Sequence, residues 1–344
     1  MAEPIRLALI GCGGNMTRAH LPRLLDQDEV SIVALVDPVT ATTRALRENQ
    51  PVVADAVTFA DHEEMLNAVQ PDAVVISSPH ALHHPQIIAS LRARAHVLVE
   101  KPMVNTAAEA SEVIGARDET GKIVMVSYQR RFEPSVRQMK RVIASGGIGA
   151  AELITAQVHQ SWYTNNLRRI KRTGQSWRVR QRLSGGGQLN DTGSHLIDLV
   201  RHLAGLPPAR VTARQQRLTL EVDVNSAIMA EFQGGAIATI AIGGNVHGGG
   251  TDITIAGSEG TLHYRTVGQP PRQPWVEWRR ADQTEPLPLP EAPEQSSPDH
   301  HFIDIIRGRT EMAGATAEDG LRVAQFSEAV WRSAETGEPA TVGV

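Results

Sequence analysis

Ile5-Arg6-Leu7-Ala8-Leu9-Ile10-Gly11-Cys12-Gly13-Gly14-Asn15-Met16 is the stretch from which the fold can be read. Ile5–Ile10 is short and apolar, as a strand buried on both faces must be. The glycines follow at once, and Arg18–Leu25 then has the length of a helix. A strand, a glycine turn and a helix N-terminus make an anion cradle. Gly11 permits the tight turn, Gly13 lets the backbone approach a pyrophosphate, and Gly14 and Asn15 lead into the helix, whose first N–H groups and dipole favour negative charge. The sixth position of such a motif is usually Gly or Ala. Here it is Met16, which implies a wider helix–strand gap or a shifted turn.

Outward from this unit the pattern repeats. Buried strands are expected at Ser31–Val36, Ala73–Ile76, His96–Val99 and Ile123–Val126, with helices at Thr40–Glu48, Glu63–Val69, Pro85–Ala93 and Thr106–Thr120. Strand alternating with helix specifies an α/β domain with a parallel sheet covered on both faces, here residues 1–127. Asp37 ends the second strand, 21 residues past Met16. An acidic residue at about 20 residues is placed to bind the adenosine ribose hydroxyls. No Arg or Lys follows until Arg44, so a 2′-phosphate would meet carboxylate repulsion without a nearby cation, which favours NAD over NADP.

From residue 128 to 344 the pattern changes to an α+β domain. Hairpins are expected at Ala227–Phe232 with Ala236–Ile242, and at Ile253–Ala256 with Thr261–Tyr264. Residues 270–298 hold eight of the 20 prolines, the composition of a loop or an edge strand. Thr316–Asp319 reads as a capping box that opens a helix running to Thr336, with Gly337 as its stop.

Two motifs carry candidate chemistry. Val97–Val99 runs into Glu100-Lys101-Pro102 at the carboxyl end of a strand, where ligands bind in such sheets. Lys101 could hydrogen-bond a substrate hydroxyl and stabilise a developing alkoxide; a solvated lysine is the bland alternative. Gly185–Gly187 leads into Asp191-Thr192-Gly193-Ser194-His195 and a helix to Ala204. Asp191 and His195, four apart, share one helical face, and a histidine beside a carboxylate has the composition of a general base. Asp198 and His202 continue that face as ordinary polar positions. Tyr163 and Trp177 could stack on a sugar ring or pack in the core. His80, His83 and His84 crowd a loop, with His83 assigned to the cofactor. No metal is expected, because the ligands on the helix face are too dispersed to chelate.

The single cysteine, Cys12, excludes a disulfide framework and a cysteine zinc site. Phe232–Thr251 lacks charge over twenty residues but holds seven glycines, which suits glycine-turned strands and not a membrane helix. Residues 128–182 carry a net charge of +10 and the rest of the chain −14. The basic stretch matches no DNA-reading motif, so it reads as a solvated face or the mouth of a substrate site. Neither nucleic acid nor membrane is an expected partner, and the protein reads as cytoplasmic.

The combination Gly11–Met16, Glu100-Lys101-Pro102 and Asp191-x-Gly193-x-His195 resembles the glucose-fructose oxidoreductase, inositol dehydrogenase and rhizopine catabolism family. Ser78-Pro79 with His83, Arg130-Arg131-Phe132-x-Pro134, Trp177-Arg178 and Glu318–Gly337 extend the likeness over nearly the whole chain. It implies a Rossmann domain followed by an open-faced, largely antiparallel sheet, and hydride exchange between a nicotinamide and a secondary alcohol of a sugar, glycoside or cyclitol. By the motif match Lys101, Asp191 and His195 are the catalytic trio, Ser78, Pro79, His83 and Glu100 lie with the cofactor, and Arg178 lies with the substrate. A cis Lys101–Pro102 bond and a homodimer or homotetramer are also implied. The rival readings are a non-catalytic sugar sensor and a redox-neutral enzyme that recycles bound NAD.

Overall fold

A computed structural model describes residues 3–268, 274–312 and 314–343. Two compact units emerge, Met1–Gln129 with Ser296–Leu321, and Arg130–Gln295 with Arg322–Val344.

The first unit contains β1 (Ile5–Ile10), β2 (Val30–Val36), β3 (Val57–Phe59), β4 (Ala73–Ile76), β5 (His96–Val99) and β6 (Val124–Val126). They lie in the order β3-β2-β1-β4-β5-β6, every pair parallel. The order reverses between β1 and β4, and the carboxyl ends beside that switch point form the crevice where doubly wound sheets bind ligands. The helices on either face are locally specified. Thr106 accepts from Glu109 N–H while the Glu109 carboxylate returns to the backbone, a capping box for Ala107–Thr120, and Gly121 closes that helix at φ 66°. Strand β3 was not anticipated from the sequence; its three residues are too few for a pattern, and Val57 is exposed.

Residues 296–321, which the sequence reading placed in the second domain, fold with the first unit. Phe302 and Ile303 are fully buried in the same core as Leu7, Leu9 and Leu98. Ala315–Thr316 adds an antiparallel edge to β6. The burial of those two side chains is what draws the chain back, so the boundary at 127 is not a single crossing.

The second unit contains β7 (Ala151–His159), β8 (Pro208–Gln216), β9 (Asn225–Phe232), β10 (Ile237–Gly243), β11 (Gly250–Gly257), β12 (Gly260–Val267) and β13 (Trp275–Arg280). They form one sheet in the order β13-β12-β11-β7-β10-β9-β8, and Ala340–Thr341 pairs on the far edge of β8. All pairs are antiparallel except β7 with β10. Alternate residues of β7, β9 and β10 are buried, and Leu153, Met229 and Ile237 project from the opposite, exposed face. Both expected hairpins form. The proline-rich stretch supplies the edge strand β13, with residues 270–273 outside the described residues. The uncharged run Phe232–Thr251 is strand and turn, and no helix among the described residues is long and apolar enough to cross a membrane. The final helix is Ala317–Thr336, opened by reciprocal Thr316–Asp319 bonds and followed by Gly337 at φ 80°.

Candidate active site

In the first unit the glycine turn leaves β1 at the switch point. Gly11 has φ +83°, and an added Cβ would lie 2.7 Å from the Ser77 and Ser78 backbone, so only glycine fits. A Cβ on Gly13 would meet nothing within 4 Å, which leaves that backbone open to a ligand. Asn15 donates to Ser77 Oγ at 3.2 Å and ties the loop to the end of β4. The expected helix at Arg18–Leu25 is instead a π turn, Met16–His20, running into an α-helix at Leu21–Leu25. Met16 is fully buried, and the wider π turn accommodates its side chain where an alanine would have sufficed.

Asp37, half-buried at the end of β2, accepts from Cys12 N–H at 3.1 Å through Oδ2 and from Val39 N–H at 2.9 Å through Oδ1. The backbone N–H groups of Cys12, in the glycine loop, and of Val39 thus hold the Asp37 carboxylate in place. The open Gly13 backbone, the turn geometry at Gly11 and this anchored carboxylate fit a dinucleotide. Gly11, Gly13, Gly14, Asn15, Met16 and Asp37 would hold it, chiefly through backbone.

Ser78 donates from Oγ to Gln86 Oε1 at 2.6 Å. His83 is fully buried, with its ring nitrogens 2.8 Å from Pro102 O and 3.0 Å from Ser78 O. Burial keeps its pKa below the usual imidazole value against the pull of those carbonyls. Its ring thus lies between the turn after β4 and the turn after β5, and in its neutral form it donates to one of the two carbonyls. His84 lies 3.0 Å from Glu112, and His80 is buried. The helix here begins at His83, two residues earlier than expected. Lys101 is half-buried at the carboxyl end of β5, and the Lys101–Pro102 bond is cis.

The second unit holds Asp191 and His195. The chain does not run as one helix from the triple glycine. Gln181–Ser184 is a short helix, Leu189–Gly193 a π turn, and Ser194–Ala204 the α-helix. The glycines are packing requirements, since a Cβ on Gly186 would lie 2.4 Å from Trp331 and one on Gly187 1.8 Å from Asp223 O. Asp223 is the organiser that no local pattern revealed. Its buried carboxylate takes Gly187 N–H at 3.0 Å, Leu189 N–H at 2.7 Å and Trp331 Nε1–H at 3.3 Å. Burial pushes its pKa up while those donors oppose the shift.

Asp191 Oδ2 accepts from Trp162 Nε1–H at 2.8 Å and from Arg178 Nε–H at 3.0 Å. The Arg178 guanidinium lies 4.4 Å from the centre of the Trp177 ring, a stacked cation. Trp162 opens a helix, Trp162–Thr173, in a stretch too polar to show the helical period. Tyr163 packs against the Trp162 cluster, and its hydroxyl meets Thr219 Oγ1 at 2.7 Å. His195 is half-buried in the first turn of its helix. The polar face beyond it is not solvated: Asp198 is buried in a bidentate pair with Arg131. Among the basic residues 128–182, Arg130, Arg131 and Arg178 are engaged inside this unit, while Arg168, Arg172, Arg180 and Arg182 are exposed.

Both parts of the chain match known protein families. Residues 5–128 match the model of an oxidoreductase family with an NAD-binding Rossmann fold, and residues 136–263 match that of the GFO/IDH/MocA C-terminal domain. D-glucoside 3-dehydrogenase of Escherichia coli (strain K12) is 28% identical over 209 residues, which are 61% of this chain and only 56% of that protein. 1,5-Anhydro-D-fructose reductase of Ensifer adhaerens is 30% identical over 283 residues, 81% of this chain and 82% of the relative. An NADP-dependent scyllo-inositol 2-dehydrogenase of Bacillus subtilis (strain 168) is 28% identical over 71% of this chain and 64% of its own length. Among solved structures, the WlbA dehydrogenase from Bordetella pertussis, in complex with NADH and UDP-GlcNAcA, superposes with a TM-score of 0.83 at 24% identity, over 99% of this chain and 100% of that one. The chain belongs to the GFO/IDH/MocA oxidoreductase family.

Proposed function

We propose that this protein is an NAD-dependent dehydrogenase acting on a secondary alcohol of a sugar, glycoside or cyclitol. The observation that carries the reading is the placement of Lys101 on the carboxyl edge of the parallel sheet that also presents the open Gly13 backbone and the anchored Asp37. His195 and Asp191 of the second unit complete a set whose three members all have competent side chains. The nicotinamide, when bound, supplies the acceptor for the substrate's hydride. Neutral His195 takes the hydroxyl proton. Lys101 places a positive charge on the oxygen as it becomes alkoxide-like. Asp191, whose Oδ2 is held by Arg178 and Trp162, accepts a substrate hydroxyl and sets the ring's orientation.

NAD is preferred over NADP because Asp37 is pinned by Cys12 and Val39 and cannot swing away from a 2′-phosphate without losing both bonds. A homodimer or homotetramer is supported by the exposed apolar residues Leu153, Met229 and Ile237 on one sheet face. The test is incubation with NAD and a panel of polyols, monosaccharides and anhydrosugars, followed at the reduced-nicotinamide absorbance band. Reduction by a member of the panel supports the reading; cofactor binding without reduction by any of them supports a sensor.

A further inference from the structure

Arg18 stands four residues after Gly14, in the π turn that the glycine loop opens. Helical hydrogen bonding begins at this loop, with Thr17 N–H donating to Gly13 O at 3.1 Å. A long helical side chain leans toward the start of its helix, over the residue four before it. Arg18 does so. A Cβ built on Gly14 would lie 2.6 Å from Arg18 Nη1, 2.9 Å from Nη2 and 3.0 Å from Cζ. All three atoms belong to the guanidinium, so the charged group itself rests where Gly14 lacks a side chain. Arg18 is exposed, and among the described residues no hydrogen bond or ion pair engages its side chain. Arg23, in the same segment, is by contrast paired with Asp299 at 3.3 Å. Asp37, the carboxylate of the loop, spends its oxygens on the N–H groups of Cys12 and Val39.

An unpaired cation is unfavourable here on its own. The first N–H groups of a helix already present positive charge, and ordering an arginine costs rotamer freedom. Both costs are offset when an anion enters the loop. The pyrophosphate of a dinucleotide is a dianion that binds at such a glycine turn, and the Gly13 backbone is open to it. Backbone N–H groups supply only partial charges. A guanidinium supplies a full one, with forked donors that match phosphate oxygens.

We propose that Arg18 is the cation that binds the pyrophosphate of the dinucleotide, and that Gly14 is a glycine because a larger residue would displace the guanidinium. This rests on the reading of Gly11–Met16 as the dinucleotide cradle. The test is isothermal titration of the full-length protein with NAD, ADP-ribose and adenosine, on wild type, Arg18→Met, Arg18→Lys and Gly14→Ala. Arg18→Met keeps the side chain's reach and removes its charge. NAD and ADP-ribose should bind it about tenfold more weakly, the worth of one charge-assisted hydrogen bond, while adenosine, which has no phosphate, should bind both proteins alike. Added salt should weaken NAD binding to wild type more than to Arg18→Met. Arg18→Lys should keep most of the affinity, and Gly14→Ala, with the charge present but displaced, should lose part of it. The melting temperatures without ligand should not fall, because the exposed side chain holds nothing until the dinucleotide arrives. Equal NAD affinity in wild type and Arg18→Met, or an equal loss for adenosine, overturns the proposal. Full NAD affinity in Gly14→Ala overturns the role given to Gly14. Because the readout is binding, a protein that shows this dependence yet oxidises no sugar keeps the assignment of Arg18 and loses the dehydrogenase reading. Wild type that binds neither NAD nor ADP-ribose overturns both.

Discussion

At the scale of single residues, the catalytic assignment makes graded demands. His195→Ala should lower the maximal rate by roughly 10²–10⁴, the usual worth of a positioned acid–base group, with NAD affinity little changed. Lys101→Ala should be at least as damaging, because it removes charge from the developing alkoxide. His202→Ala should be nearly silent, since His202 lies two helical turns beyond His195 on the helix Ser194–Ala204. Steady-state kinetics on any accepted substrate checks all three, and a silent His195→Ala beside a crippling His202→Ala would reverse the assignment. Because only neutral His195 can take the proton, oxidation should rise with pH through the histidine's titration. Cofactor choice rests on Asp37. Asp37→Ser with Pro38→Arg should move preference toward NADP by removing repulsion and adding a phosphate partner. Equal wild-type efficiency with both cofactors would refute the Asp37 argument.

At the scale of elements, the triple glycine makes the sharpest demand. Gly187→Ala places a methyl 1.8 Å from the Asp223 carbonyl oxygen, so the turn into Asp191 must move. Loss of at least about 3 kcal/mol is expected, the upper range for overpacking, read as a lower melting temperature and impaired turnover. A variant as stable as wild type would mean that the turn is loose. Elements with strong periodic or capping signals were legible in the sequence. β1, β4 and β5, the capping box at Thr316–Asp319 and the glycine stop at Gly337 all stand where the residues put them. Trp162–Thr173 was not, because eight of its residues, Tyr163 aside, are polar or charged, and only Trp162, Tyr163 and Ile170 join the apolar cluster. Strand β8 was not, because Arg210, Arg214, Gln215 and Gln216 mask its alternation. The site divides the same way. Gly11, Asp37, Lys101, Asp191 and His195 announced themselves by motif. Trp162, Asp223 and His20 reach their partners only through long-range folding, over sequence separations of 29, 34 and 80 residues for Asp191, Leu189 and Glu100.

At the scale of the whole molecule, the first unit closes only when residues 296–321 return to it. Asp299 is the charged part of that closure: its Oδ1 lies 2.7 Å from Nδ1 of the buried His20, and the pair gives stability a pH dependence. The folded pKa of His20, about 10, lies above its ordinary 6.5. Its contribution is therefore full below about pH 6.5 and is lost as pH rises through about 10. Between those limits the wild-type melting temperature should fall more steeply than that of His20→Gln. Parallel curves for the two proteins would remove His20 from the stability of the fold.

The proposed function is oxidation of a sugar-like alcohol by NAD, and turnover tests it directly. Purified protein is mixed with NAD and each of a panel of polyols, monosaccharides and anhydrosugars, and absorbance is read at the reduced-nicotinamide band, with Lys101→Ala and His195→Ala run alongside. NADH should form from one or more of these alcohols, and its formation should be abolished or strongly reduced in both variants. Tight NAD binding with no reduction by any of them, or reduction unaffected by either substitution, would contradict it.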